Sequence, residues 1–429
     1  MLKANGFKTA AILALLLFGP VFTHAADVAP PPPAPPAADE PKPLGPGLLS
    51  LDSSVGIVDS QIESAKGVVE KALGIGISGF FDVGYQYSGN HPRASASISG
   101  RYFDKDHNKL KFNNFNLTID KPEKDWGVGF HFVGDFGRTG ELLREVTLWN
   151  AHLKEQPSAE LREAYLTFTI PFGEGIAVKA GKFVTPLGTE ILPAPGAYND
   201  NISRSFAFNF GVPITHTGAL FTYPFSKAFA ASGGLVTGWD NPHDNNNSPS
   251  FLGGINFTPV DAFALASNIV IGREWTAVGF NQHIHDGGTR VTLSNVVTLK
   301  PIDPLTAYLE YTMGHEEKAL TPFGVRDAWW HAFAGILSYN WTDRFNTAFR
   351  SELFLDEKSA RTFSLKAVPT KNSVNLYEAT ATAAYKFTAK LIGRVEVRHD
   401  RANKNVYQEG RNGTDNHQTT VAFQAIYGF

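Results

Sequence analysis

From Gly76 to Phe429 the chain repeats one local pattern, short segments in which apolar and polar residues alternate with a period of two. In the first, Phe81, Val83, Tyr85 and Tyr87 fall on one face, and Asp82, Gly84, Gln86 and Ser88 on the other. Successive side chains of a strand point to opposite faces, so such a segment builds a sheet with one greasy side and one wet side. Sixteen segments of this kind read at 76–88, 108–119, 126–136, 159–170, 175–184, 214–224, 228–239, 250–258, 262–272, 288–300, 304–315, 328–341, 343–355, 374–387, 389–399 and 416–429.

The links between them set the topology. Pro122-Glu123-Lys124-Asp125, Pro171-Phe172-Gly173-Glu174, Ser226-Lys227, Pro259-Val260-Asp261, Pro301-Ile302-Asp303, Thr342 and Thr388 make every second link short, and the others are mostly far longer. Tight turns on one side, long loops on the other and an even strand number are the pattern of an outer-membrane barrel with both termini in the periplasm. A soluble sandwich or propeller would need a second layer over the aromatic-rich faces. No segment reaches the roughly 20 apolar residues of a spanning helix, and a closed barrel is the other way to satisfy backbone amides in lipid. The expected fold is all-β, a transmembrane antiparallel barrel of about 16 strands over 76–429.

In the last segment Val421, Phe423, Ala425, Tyr427 and Phe429 share one face, with Thr420 and Gln424 on the other. A C-terminal aromatic on an apolar face, here Phe429, resembles the signal read by the outer-membrane assembly machinery. Trp126, Tyr223, Trp329, Tyr339, Trp341, Tyr385 and Phe387 lie near segment ends, where amphipathic rings suit the lipid–water boundary.

The N-terminal part reads differently. Lys3 and Lys8 precede an apolar run from Ala10 to Phe18, and Thr23-His24-Ala25 offers small residues for cleavage, so residues 1–25 read as a secretory signal peptide. Residues 26–47 form a Pro/Ala-rich spacer of polyproline II type. Over 48–75, Leu48, Leu51, Val55, Val58, Ile62, Ala65, Val69 and Ala72 recur at alternating spacings of 3 and 4, an amphipathic periplasmic helix. It either joins three barrels as a coiled coil or lies on the rim or in the lumen of one barrel.

The chain has no cysteine, which excludes disulfides, thiolate zinc sites and cysteine nucleophiles. Its net charge of -3, without any basic stripe, gives no footing for nucleic acid. His283 with His285, the Asp240 to Asn247 region and His315-Glu316-Glu317 lack complete ligand sets, so no metal and no cofactor is expected. No nucleophile motif is present, so the chain is not expected to be an enzyme.

A barrel of about sixteen strands is too wide for side chains to fill, so its chemistry lies in the wall and loops. Alternation points Arg394, Glu396, Arg398, Arg350, Glu352, Glu310, Lys179 and Glu163 inward as pore-lining candidates, along with Asp82, His131, Asp135, Arg290, Tyr308 and Glu378. On the lipid side a charge at the midplane would cost about 2–4 kcal/mol. The third long link, 185–213, combines four prolines with Leu187, Ile191, Leu192, Phe206, Phe208 and Phe210, too apolar for a free outer loop. Folding it into the lumen would bury that side and leave Glu190, Asp200 and Arg204 as constriction-loop candidates.

An ordered series of short runs carries a resemblance. Gly181-Lys182-Phe183, Thr185-Pro186-Leu187-Gly188, Pro193-Ala194-Pro195, Ser203-Arg204-Ser205, Thr215-His216-Thr217-Gly218, Gly238-Trp239-Asp240 and Asn245-Asn246-Asn247 resemble the putative β-barrel porin-2, or OmpL-like, family across 76–429. The resemblance implies an outer-membrane porin, a water-filled channel for passive diffusion of small hydrophilic solutes and ions, with no assigned substrate. General sixteen-stranded porins are similar in placing a constricting loop after the fifth strand, and they are usually trimers. A closed adhesin or structural barrel stands as the alternative, followed by a barrel enzyme such as a lipase.

Overall fold

The computed structural model describes residues 66–429 except 69, 94–96, 124–126, 149–157, 275, 278–282, 285–286, 323 and 363–372. The expected signal peptide, the spacer, most of 48–75 and Trp126 lie outside these residues; 66–68 and 70–73 are helical.

Sixteen antiparallel strands close into a barrel. They are β1 (Gly76–Ser88), β2 (Lys109–Lys121), β3 (Gly129–Phe136), β4 (Ala159–Ile170), β5 (Ile176–Val184), β6 (Thr215–Pro224), β7 (Phe229–Val236) and β8 (Ser250–Val260). The second half is β9 (Phe263–Arg273), β10 (Thr289–Ile302), β11 (Leu305–Thr321), β12 (Gly324–Asn340), β13 (Phe345–Asp356), β14 (Val374–Lys386), β15 (Leu391–Ala402) and β16 (His417–Gly428). Each strand pairs with its sequence neighbours, and β16 closes on β1 with Gly84 opposite Gln424. All sixteen segments read from the alternation are strands of this barrel.

The period-two code sets the facing. In β15, Arg394, Glu396, Arg398 and Asp400 are buried while Val395, Val397 and His399 are exposed. Three short turns share one device: the hydroxyls of Ser226, Thr342 and Thr388 accept the N–H of Phe229, Phe345 and Leu391 at 3.1, 3.0 and 3.0 Å. A hydroxyl bonded to nearby backbone closes a turn without any further element. Aromatic pairs stand beside these turns, Tyr223 with Phe225, Tyr339 with Trp341 and Tyr385 with Phe387.

One long link is corrected. Residues 316–327, expected as a loop, mostly continue the hairpin, because β11 and β12 each run 17 residues, with a bulge between Glu316 and Ala319. Strands that rise beyond the membrane have no need of lipid-facing alternation, so the period fades while the pairing persists. By contrast β3 and β7 have only 8 residues each, so the wall is of uneven height.

The second long link carries a helix that was not anticipated, α1 (Arg138–Leu148). Its Leu143 packs with Leu192, Phe208 and Ile214 of the third long link. In β5, ahead of that link, one glycine is obligatory. Gly181 has φ +140°, and a Cβ there would lie 2.2 Å from the Ala164 carbonyl oxygen on the paired strand.

Candidate functional site

The site is the lumen, and the segment 185–214 occupies it. Two apolar clusters hold the segment against the inner wall. Leu187 and Val212 pack with Phe183, Val236, Leu252 and Val270, and Phe206 and Ala207 pack with Trp330, Phe354 and Leu376. These wall residues sit at inward positions where the alternation calls for polar side chains. They are the complement of the loop's apolar content, and burying both sides removes them from lumen water.

Polar wall groups then bind the loop backbone. Ser294 and Glu310 accept the N–H groups of Gly188 and Thr189 at 3.0 and 2.8 Å. Glu396 accepts from Ile202 and Ser203 at 2.6 and 3.0 Å, and Glu352 from Phe206 and Ala207 at 2.5 Å each. A carboxylate receiving two amide donors recovers part of the hydration it loses on burial. Arg350 and Arg398 donate to the carbonyls of Ser203 and Arg204 at 2.7 and 2.5 Å, and Asn268 donates to that of Pro186 at 2.8 Å. Trp330 donates its indole N–H to Gly211 at 3.0 Å. A π-helical turn at Ala207–Gly211 places these groups beside the wall.

A ladder of alternating charge ties this arrangement together. Glu190 of the loop meets Arg350 at 2.7 Å, Arg350 meets Glu378 at 2.7 Å, and Glu378 meets Arg398 at 3.2 Å. Arg398 meets Asp400 at 2.6 Å, Asp400 meets Arg101 at 2.7 Å, and Arg101 meets Asp104 at 2.5 Å. Arg101 and Asp104 belong to the first long link, so one chain of ion pairs fastens two loops to β13, β14 and β15. The Arg101 guanidinium, with Arg398 and Gln86, holds the Asp104 carboxyl below the usual range against the opposing effect of burial.

The eight wall candidates thus fall into groups. Arg350, Glu352, Glu310, Glu396 and Arg398 are engaged with the loop, as above. Arg394 donates to Asn199 of the loop at 2.5 Å and to Gln424 at 2.9 Å. Lys179 and Glu163 lie apart from it: the Lys179 ammonium sits 4.6 Å from the Tyr165 ring centre, and Glu163 accepts the Val184 N–H at 3.3 Å. Of the loop candidates, Glu190 joins the ladder, Asp200 accepts from Ser338 at 2.9 Å, and Arg204 keeps a buried Nε without a hydrogen bond.

The sixteen-strand closure and the internal segment after β5 sit within a stretch, residues 74–429, that matches the family model described as putative beta-barrel porin-2, OmpL-like. The chain belongs to this OmpL-like porin family. No curated protein matches it. Among solved structures, this OmpL-like barrel is similar to the outer membrane channel DcaP of Acinetobacter baumannii, at 14% identity and TM-score 0.55, over 83% of this chain and 97% of that one. It is also similar to the trimer form of OmpT from Vibrio cholerae and to an anion-selective porin from Comamonas acidovorans. Each of these shows 13% identity and TM-score 0.53, over 83% of this chain and 99% of that one. At such identities the likeness shows the fold. The OmpL-like chain is an outer-membrane channel protein.

Several participants in the lumen were missed from the sequence. Arg101 and Asp104 stand in a loop without periodicity, so nothing marked them as inward. Asp240, weighed only as a metal ligand, accepts the N–H groups of Ile214 and Thr215 at 2.6 and 2.9 Å and so holds the end of the internal segment. Burial raises its carboxyl to about 6.

Proposed function

We propose that the chain is a diffusion porin, a water-filled channel through which small hydrophilic solutes and ions pass passively, constricted by the loop 185–213. The observation that carries this reading is the seating of the loop. Its backbone is bound by Glu310, Glu352 and Glu396 on three different strands, so its position is fixed by the wall. A rigid insert in a wide barrel narrows the passage and leaves water on the side where it is not sealed.

The same reading includes export by residues 1–25, delivery by the outer-membrane assembly machinery through Phe429, a lipid-facing belt, and assembly as a homotrimer. The trimer form of the similar Vibrio OmpT supports the last of these.

A closed structural or adhesive barrel is the second reading, and the ladder that draws the first long link onto Asp400 favours it. Conductance of the purified protein in planar bilayers separates the two. Open ohmic channels are expected, and silence after verified insertion would sink the porin reading.

A further inference from the structure

We propose that the passage is off-centre, running between the internal loop and the β15–β16–β1–β2 wall, and that Arg204 and Arg394 make it select small anions such as halides and monocarboxylates. This rests on the channel reading above and adds a route and a solute class to it.

The route follows from where the loop is bonded. Its hydrogen bonds to the strands go to β4, β6 and β9–β15, and among the described residues none reaches β16, β1 or β2, where the Tyr198 ring meets Phe80 edge-on. On that open side lies a narrow cavity of about 70 Å³, lined by Asp82, Gln86, Asn113, Asn114, Arg204 and Arg394 among others. At about 30 Å³ per water molecule, it has room for two or three waters. A second cavity of about 240 Å³ lies at the short-turn end, with Asp200, Asn346 and Lys386 in its lining. Arg394 is in the lining of both cavities.

The sign of the selection follows from pairing. Arg101, Arg350, Arg398, Arg162 and Arg290 each have a carboxylate oxygen within 2.5 to 3.2 Å. Arg204 and Arg394 have no ion pair among the described residues. Arg204 Nη1 donates to the Ile202 carbonyl at 3.2 Å, its guanidinium lies 5.6 Å from the Phe208 ring centre, and its Nε has no partner. Arg394 donates to two neutral oxygens, those of Gln424 and Asn199.

Of the cavity's carboxylates, Asp104 meets Arg101 at 2.5 Å, a guanidinium it shares with Asp400. Asp82 remains, accepting from Asn113 at 3.0 Å and Gln424 at 2.7 Å. Gln424 therefore stands between Arg394 and Asp82 and keeps the two charges apart. Lys111 is paired with Asp106 at 3.3 Å. The cavity lining thus sets Lys111, Arg204 and Arg394 against Asp82 and Asp104, an excess of one positive charge. In a low-dielectric constriction such an excess attracts anions, because bulk salt screens it poorly.

The test uses the full chain in planar bilayers under a potassium chloride gradient. The expected reversal potential is that of an anion-preferring channel. Arg204→Gln and Arg394→Gln should each move it toward the cation side, and Asp82→Asn should move it further toward the anion side. An ohmic but cation-preferring wild type, or a potential unmoved by both arginine variants, overturns the inference and leaves the porin reading standing. Silence after verified insertion overturns both.

If an arginine variant fails to assemble, the absence of native cysteine supplies a second measure. Asn113→Cys, treated with thiol reagents of either sign, should lose current several-fold faster with the anionic reagent. Equal rates, or no loss of current on complete labelling, would overturn the proposed route.

Discussion

Arg350 donates to Glu190 of the internal loop and to Glu378 of the adjacent strand, both at 2.7 Å, and its side chain has no exposure to solvent. Removing it leaves Glu190 buried without its ion-pair partner and Glu378 with Arg398 alone. Arg350→Ala should destabilise the barrel by about 3–5 kcal/mol, the usual cost of breaking a buried pair from one side. Urea unfolding in detergent measures this, and a loss under about 1 kcal/mol would show that the ladder is not needed to hold the loop.

Deleting residues 187–207 should raise single-channel conductance, because it removes the segment bonded to Glu310, Glu396 and Glu352. A deletion variant that closes correctly and conducts as the parent does would count against the constriction.

Asp240 offers a test by pH. Burial lifts its carboxyl to about 6, whereas an unfolded aspartate titrates near 4. The folded chain therefore binds the extra proton between these values. The resulting contribution is complete below about pH 4 and is lost as pH rises through about 6, amounting to up to about 3 kcal/mol. Asp240→Asn should flatten the stability difference between pH 4.5 and 7, read from urea midpoints. Equal differences in parent and variant would refute the assignment.

Gly181→Val should impair assembly. Its φ of +140° is unfavourable for a β-branched residue, and the added carbon would meet backbone on the paired strand. Since backbone cannot step aside as a side chain can, a loss of at least about 1–3 kcal/mol is expected. The fraction of heat-modifiable, folded barrel on gels reports it.

Much of the architecture was legible because a barrel in lipid imposes a strict rule. Every second residue must be apolar, and positions such as Val395 and Val397 keep that rule beside Arg394, Glu396 and Arg398. Where the rule lapses, reading fails: the upper parts of β11 and β12 stand beyond it, and α1 lies in a loop that has no period. Inside the lumen, polarity told only which side a residue faces. That Arg350 and Arg394 would both bind a loop, and that Arg394 would also border a cavity, depends on the course of residues 185–214, which is a tertiary property. Trp330 and Phe354 are inward and apolar, and only the loop's own phenylalanines hinted at partners for them.

The seam of the barrel has a consequence for the life history of the chain. Gly79 and Phe429 exchange both backbone hydrogen bonds, at 3.1 and 3.0 Å, and the Phe429 ring lies against Phe81 and Phe115. The final residue therefore cannot be held by another protein and serve as the clasp at the same time. Any partner that pairs with this C-terminal backbone must release it before β16 can close on β1.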